Sequence, residues 1–235
     1  MRAVALLLAC ALPVLAACAS APGVRVSAAQ DAAEAGLVDA AAVVPGLRQE
    51  IRYAGTDNFV GAPIAGYEAP KCLLLAPVAQ ALVRVQQDVQ REGLSLKVFD
   101  CYRPVRAVKH FVAWAHDPAD QRTKAAYYPN LDKSRLLDGY IAESSGHSRG
   151  ATLDLTLVAC EGDACVELDM GTPFDFFDPR ANTAHPHLAD AQRRNRERLV
   201  QAMARHGFRN YPMEWWHYTF RPEPSPKTAY DVPIR

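Results

Sequence analysis

The sequence predicts an α+β domain, a small antiparallel β-sheet flanked by helices. Three segments carry the 3.6-residue apolar period of helices, three others alternate apolar with polar residues, and hairpin-like turns lie between them. Pro77 to Glu92 repeats Val78, Ala81, Leu82, Val85 and Val89 and stops at Gly93, a residue suited to a helix C-terminus. Pro104 to Ala115 repeats Val105, Val108, Val112 and Ala115, with proline at the first helical position. Leu188 to His206 is charged outside, places Leu199, Ala202 and Met203 inward, and ends at Gly207. The strand patterns are Leu94, Leu96 and Val98, then Leu153, Leu155 and Leu157, then Trp216, Tyr218 and Phe220. Asp154 is thereby expected on the strand face opposite the three leucines.

The chain has 235 residues, with 26 basic and 26 acidic side chains and no basic run, so its charge pattern does not suggest a nucleic-acid partner. Met1-Arg2 and the apolar run Ala3 to Leu15, too short to span a bilayer, precede Leu15-Ala16-Ala17-Cys18. That tetrapeptide resembles a bacterial lipobox. Residues 1–18 are therefore expected to be a lipoprotein signal peptide, with a lipid on Cys18 as the membrane attachment. A plain signal peptide cut near Ala19 or Ala21 is the alternative. The expected location is periplasmic, at the outer membrane rather than the inner because Ala19, not Asp, follows the cysteine. Residues 19–42, rich in alanine with scattered acids, are expected to be a tether, and residues 43–235 one domain with a real core. Export permits disulfides. Cys160 and Cys165 flank a Gly-Asp turn and suggest a clasp across a hairpin, which leaves Cys72 for Cys101.

Two distant stretches carry the chemistry: Ser145-Gly146-His147-Ser148-Arg149-Gly150-Ala151-Thr152-Leu153-Asp154 and Glu214-Trp215-Trp216-His217. They offer two imidazoles, one carboxylate and a spare glutamate. A mononuclear zinc hydrolase needs that set, because three protein ligands leave a fourth position open. Alone, either histidine would more often be an ordinary core or surface residue; the combination favours ligands. Glu214 precedes His217 by three, so a regular strand would face them oppositely. An irregular entry or a bulge is therefore required. Arg103 sits at a strand-to-helix corner made rigid by Pro104, where it could stabilise an oxyanion or merely pair with Asp100. His185-Pro186-His187 reads as a loop, and Trp215 and Trp216 as sheet packing.

Asp100-Cys101-Tyr102-Arg103-Pro104, the Ser145 to Gly150 run, Asp154-Leu155-Thr156-Leu157 and Glu214 to His217 together resemble the zinc D-alanyl-D-alanine dipeptidase family. Asp57 to Gly61, Tyr127 to Asn130 and Met170 to Asp175 extend the likeness in the same order, from about Ile51 to Pro233. The resemblance implies a Hedgehog/D-Ala-D-Ala peptidase-like zinc hydrolase fold and hydrolysis of D-Ala-D-Ala by one zinc ion. It implies His147, Asp154 and His217 as metal ligands, Glu214 as general base and acid, and Arg103 as the transition-state stabiliser. Asp175 matches the carboxylate that receives the substrate ammonium, Ser145 a residue lining the substrate pocket, and Tyr53 another. In relatives, a region comparable to Lys124–Arg135 covers the site. Cys101 departs from the usual glycine and Thr152 from the usual alanine. A peptidoglycan carboxypeptidase on the same fold and a metal-free peptide-binding lipoprotein are the competing readings.

Overall fold

The computed structural model describes residues 23–162 and 164–235. The expected signal peptide and Cys18 lie outside the described residues. In chain order the elements are β1 (Arg25–Val26), β2 (Leu37–Asp39), α1 (Ala40–Val43), β3 (Arg48–Gln49), β4 (Leu73–Leu75), α2 (Ala76–Gln90), β5 (Leu94–Asp100), α3 (Val105–Ala115), α4 (Lys124–Tyr127), β6 (Thr152–Glu161), β7 (Ala164–Glu167), α5 (Asp190–Arg205), β8 (Phe208–Tyr211), β9 (Glu214–Phe220) and β10 (Thr228–Ala229). The main sheet has the order β3-β5-β6-β9-β8, with β7 paired to β6. It is antiparallel except at one edge, where β3 runs parallel to β5. This is the mixed α+β architecture the sequence predicts, and it fits the Hedgehog/D-Ala-D-Ala peptidase-like fold.

The three long helices form where the apolar period places them, within two residues at either end. In α2, Val78, Ala81, Leu82, Val85 and Val89 are buried. Gly93 follows it at φ +73°, a left-handed conformation that glycine adopts without cost. The first turn of α3 is held by the C-terminal tail, since Arg106 N donates to Asp231 Oδ1 (2.7 Å) and Val105 N to the Tyr230 carbonyl (3.1 Å). On β6 every residue from Thr152 to Val158 is buried, so both faces of this central strand are covered. Strict alternation then sends Asp154 away from Leu153 and Leu155.

The alanine-rich stretch is not a tether. From Arg25 it is built into the fold: β1 pairs with β10, and β2 pairs with β4. Asp39 Oδ1 accepts from Ala41 N to start α1 (2.9 Å), and Ala35, Leu37 and Ala40 are buried. Alanine contributes little to a hydrophobic average, yet its small side chain packs close to the backbone, so composition undervalued this segment.

The stretch 124–135 is likewise packed into the fold. Tyr128 is buried, and Lys133 lies over the Trp114 ring with Nζ 3.8 Å from its centroid. The same ammonium donates to the Asp117 and Asp120 carbonyls (2.8 Å each), satisfying groups just beyond the end of α3. The cysteines pair as expected, Cys72 with Cys101 and Cys160 with Cys165.

Candidate active site

β6 and β9 bring the first two candidate ligands together, because Asp154 lies directly across from His217 in their register. His147 arrives from a short 3₁₀ turn, His147–Arg149, that closes at Gly150 with φ +69°. A Cβ at Gly150 would lie 2.8 Å from Leu37 Cδ2, so the close approach of β2 requires glycine here. The His147 ring donates Nδ1–H to the Cys101 carbonyl (2.7 Å), which fixes the tautomer and leaves the Nε2 lone pair free.

The three free ligand atoms form a nearly equilateral triangle. His147 Nε2 is 3.2 Å from His217 Nδ1 and 3.4 Å from Asp154 Oδ1, and His217 Nδ1 is 3.1 Å from Asp154 Oδ1. Ligands held tetrahedrally at about 2.0–2.1 Å from one cation would stand roughly 3.3–3.4 Å apart. The buried Asp154 Oδ1 has no hydrogen-bond partner, although both imidazoles are close. These residues fit a divalent metal, and the nitrogen-nitrogen-oxygen set suits zinc. Burial opposes the Asp154 carboxylate, but the His147 and His217 imidazoles beside it hold its pKa below the usual range. Burial, aided by Arg103, lowers that of His147, keeping the ring neutral as a ligand must be.

The bulge anticipated between Glu214 and His217 is present. Asn210 pairs with Tyr218, but the next residue, Tyr211, pairs with Glu214, leaving Trp215, Trp216 and His217 of β9 without partners on β8. Glu214 and His217 therefore line the same cavity, with Glu214 Oε2 3.6 Å from His217 Nδ1. Burial, reinforced by Asp154 and opposed by Arg103, pushes the Glu214 carboxyl up to about 8.

Arg103 pairs with Asp100 and also reaches toward the candidate ligands. Its Nε donates to Asp100 Oδ2 (2.9 Å), while Nη2 reaches to 3.5 Å from Asp154 Oδ2 and the guanidinium lies over the Tyr53 and Phe111 rings. Asp100 is itself fixed by the Tyr67 hydroxyl (2.6 Å), so a buried chain of contacts aims Arg103 at the ligand triangle.

Asp175 also opens onto this cavity, and among the described residues it is the one non-glycine at positive φ (59°). Its Oδ2 accepts from the Tyr53 hydroxyl (2.9 Å). Burial, with the Asp154 charge added, raises the Asp175 carboxyl well above the usual range. A strained, buried carboxyl is maintained only against a cost, which is a reason to look for a ligand. The turn at Pro179 is capped by Asp178, whose side chain accepts from Arg180 N. Ser145 lines the cavity and its Oγ accepts from His147 N (3.2 Å).

The cavity encloses about 300 Å³. Further lining comes from Gly139 to Ala142 with Ser144, beside Phe59, Val108, Phe177 and Trp216, and not from the 124–135 stretch. Tyr211 was not foreseen: its ring stands 5.7 Å from that of His217, and its hydroxyl donates to the Gly139 carbonyl (3.2 Å). Nothing in the pattern of β8 marked it. Three carboxyl groups, one guanidinium and two imidazoles share the space. That excess of acid suits a divalent cation and a substrate ammonium together.

The profile of the D-ala-D-ala dipeptidase peptidase family matches residues 33–235. The chain belongs to this family. Curated relatives named D-alanyl-D-alanine dipeptidase include one from Streptomyces coelicolor, 42% identical over 82% of this chain and 95% of its own length. Another, from Enterococcus faecium, is 39% identical over 82% of this chain and 95% of its own length. One from Escherichia coli is 35% identical over 77% of this chain and 83% of its own length. The family is one of metallopeptidases, and the match begins at residue 33, inside the stretch whose composition suggested a tether.

Proposed function

We propose that the chain hydrolyses D-Ala-D-Ala to two D-Ala with one zinc ion held by His147, Asp154 and His217. The triangle of ligand atoms, opening onto one small cavity with Glu214, Arg103 and Asp175, carries this reading. Zinc, when bound, supplies a Lewis acid for the peptide carbonyl and acidifies a water molecule. Glu214 takes the proton of the attacking water and later returns it to the leaving amine. Arg103, held by Asp100 and the two aromatic rings, faces the oxyanion that develops on the carbonyl. Asp175, oriented by Tyr53, receives the free ammonium of the dipeptide, and Ser145 lines the pocket beside His147. A cavity at the small end of ligand sites suits a dipeptide better than a peptidoglycan stem.

The location is proposed on separate grounds. Two disulfides suit an oxidising compartment, and the Leu15 to Cys18 tetrapeptide supports export with lipid attachment, at the outer membrane. An exported enzyme would meet wall fragments rather than cytoplasmic precursors, which favours D-Ala recovery as the role.

The purified mature chain is expected to release D-Ala from D-Ala-D-Ala and to cleave an acyl-capped tripeptide far more slowly. A chelator should abolish the activity and zinc restore it. Preference for the capped substrate would replace this reading with a carboxypeptidase. Protein without bound metal or hydrolytic activity would leave only a peptide binder.

A further inference from the structure

The β9 bulge places Glu214 and His217 together, yet three residues without partners on β8 interrupt the ladder between Glu214 and Tyr218. One side chain spans that interruption. The Asn210 carboxamide donates through Nδ2 to the Glu214 carbonyl (3.0 Å) and to the His217 carbonyl (3.1 Å). It thus ties the first residue of the bulge to the last. Its orientation is set in turn: Thr183 Oγ1 donates to Asn210 Oδ1 (2.6 Å), while Thr183 N donates to the Pro212 carbonyl (2.9 Å). A flipped amide would present Oδ1 to two carbonyl oxygens, so these two acceptors set the amide orientation and Thr183 holds its other end.

We propose that Asn210 is a positioning residue, holding the bulge in the one conformation that turns the base Glu214 and the ligand His217 into the same cavity, with Thr183 fixing its amide. The proposal rests on the roles assigned above to those two residues. Metal affinity and turnover should therefore both depend on an amide that touches neither metal nor substrate.

Asn210→Asp keeps the shape but replaces the donors with an acceptor. Its zinc affinity, read by competition with a chromophoric chelator, should fall about 10- to 100-fold, the range seen when an outer partner of a metal ligand is lost. Its kcat for D-Ala-D-Ala should fall at least about tenfold with KM within roughly threefold, since substrate contacts are untouched. Thr183→Val should move both quantities the same way by less, and Thr183→Ser should restore them. Should Asn210→Asp not fold, Asn210→Ala and the Thr183 pair carry the same comparison.

A lower melting temperature with unchanged zinc affinity and kcat would show a merely structural role and overturn the proposal. Trp215 and Trp216, buried in the bulge with rings 5.3 Å apart at 85°, give a readout that needs no metal. The near-ultraviolet circular dichroism of metal-free Asn210→Ala should change while its far-ultraviolet spectrum is kept; an unchanged near-ultraviolet band overturns the proposal. If wild-type protein binds one metal without cleaving the dipeptide, the activity reading fails, and chelator competition still decides the role of Asn210.

Discussion

Asp175→Asn separates substrate recognition from catalysis, because it removes a charge while keeping size and the bond from Tyr53. A substrate ammonium about 4 Å from a carboxylate gains about 4 kcal/mol at an effective dielectric of 20. A hydrogen bond to a charged group contributes about 1.5–3 kcal/mol net. A loss of about 2–4 kcal/mol follows, or roughly 30- to 900-fold in kcat/KM. The stability of the metal-free protein should move the other way. Burial and the nearby Asp154 raise the Asp175 pKa in the folded state. Stability from the protonated group is fully present below the unfolded pKa, about 3.9, and is lost as pH rises toward the folded value. The Asn side chain does not ionise and escapes that loss. The variant should match wild type near pH 4 and melt at increasingly higher temperature than wild type toward pH 8. The assays are D-Ala release at fixed zinc content and thermal unfolding of chelated protein at several pH values. A loss of kcat/KM under threefold, or a variant less stable than wild type at pH 8, would refute the assignment of Asp175 as a buried ammonium receptor.

Glu214→Gln should lower kcat about 10²- to 10⁴-fold while keeping one metal per chain by elemental analysis; wild-type turnover would remove Glu214 from the proton transfers. Removing the Cys72–Cys101 bond, whose cysteines are 29 residues apart, should cost about 3–4 kcal/mol in denaturant unfolding, against about 2 for the Cys160–Cys165 pair, 5 apart. The reverse ranking would contradict the chain-entropy account. Burial pushes the Asp178 carboxyl up, but bonds from Arg180 and Asn130 outweigh this and hold it at about 2. Its contribution is present above about pH 3.9 and lost as pH falls through 2, so Asp178→Asn should flatten the acid limb of stability in that window.

The periodic parts of the fold were legible because period follows directly from burial: α2, α3, α5 and the strands around Leu96, Leu155 and Tyr218 lie where their apolar spacing puts them. The candidate metal site was legible because His147, Asp154 and His217, marked by residue type in two distant stretches, are brought within reach of one ion. The irregularity was legible too, since residues three apart on a regular strand face opposite sides and an irregular entry or a bulge had to intervene. Three features were not. The structured run from Arg25 to Ala42 depends on contacts with β4, β10 and Gly150, all remote in sequence. The burial of Lys133 depends on carbonyls left free beyond α3. Tyr211 and the Gly139 to Ser144 wall meet the site through tertiary packing alone, with no local spacing to announce them.

The same charge balance bears on why a dipeptidase and not a trimming enzyme should occupy this pocket. Asp175 is buried and strained, so ionising it is unfavourable until a cation arrives. A free amino terminus provides that cation and gains the interaction, less the cost of ionising the carboxyl. An acylated nitrogen provides none, so the carboxyl must either stay protonated beside a neutral amide or ionise without a counter-charge. Both outcomes forfeit the energy that made the free dipeptide bind. Selectivity then comes from what the pocket withholds from the wrong substrate, and a buried carboxyl performs this better than an exposed one, because water cannot make up for the missing ammonium.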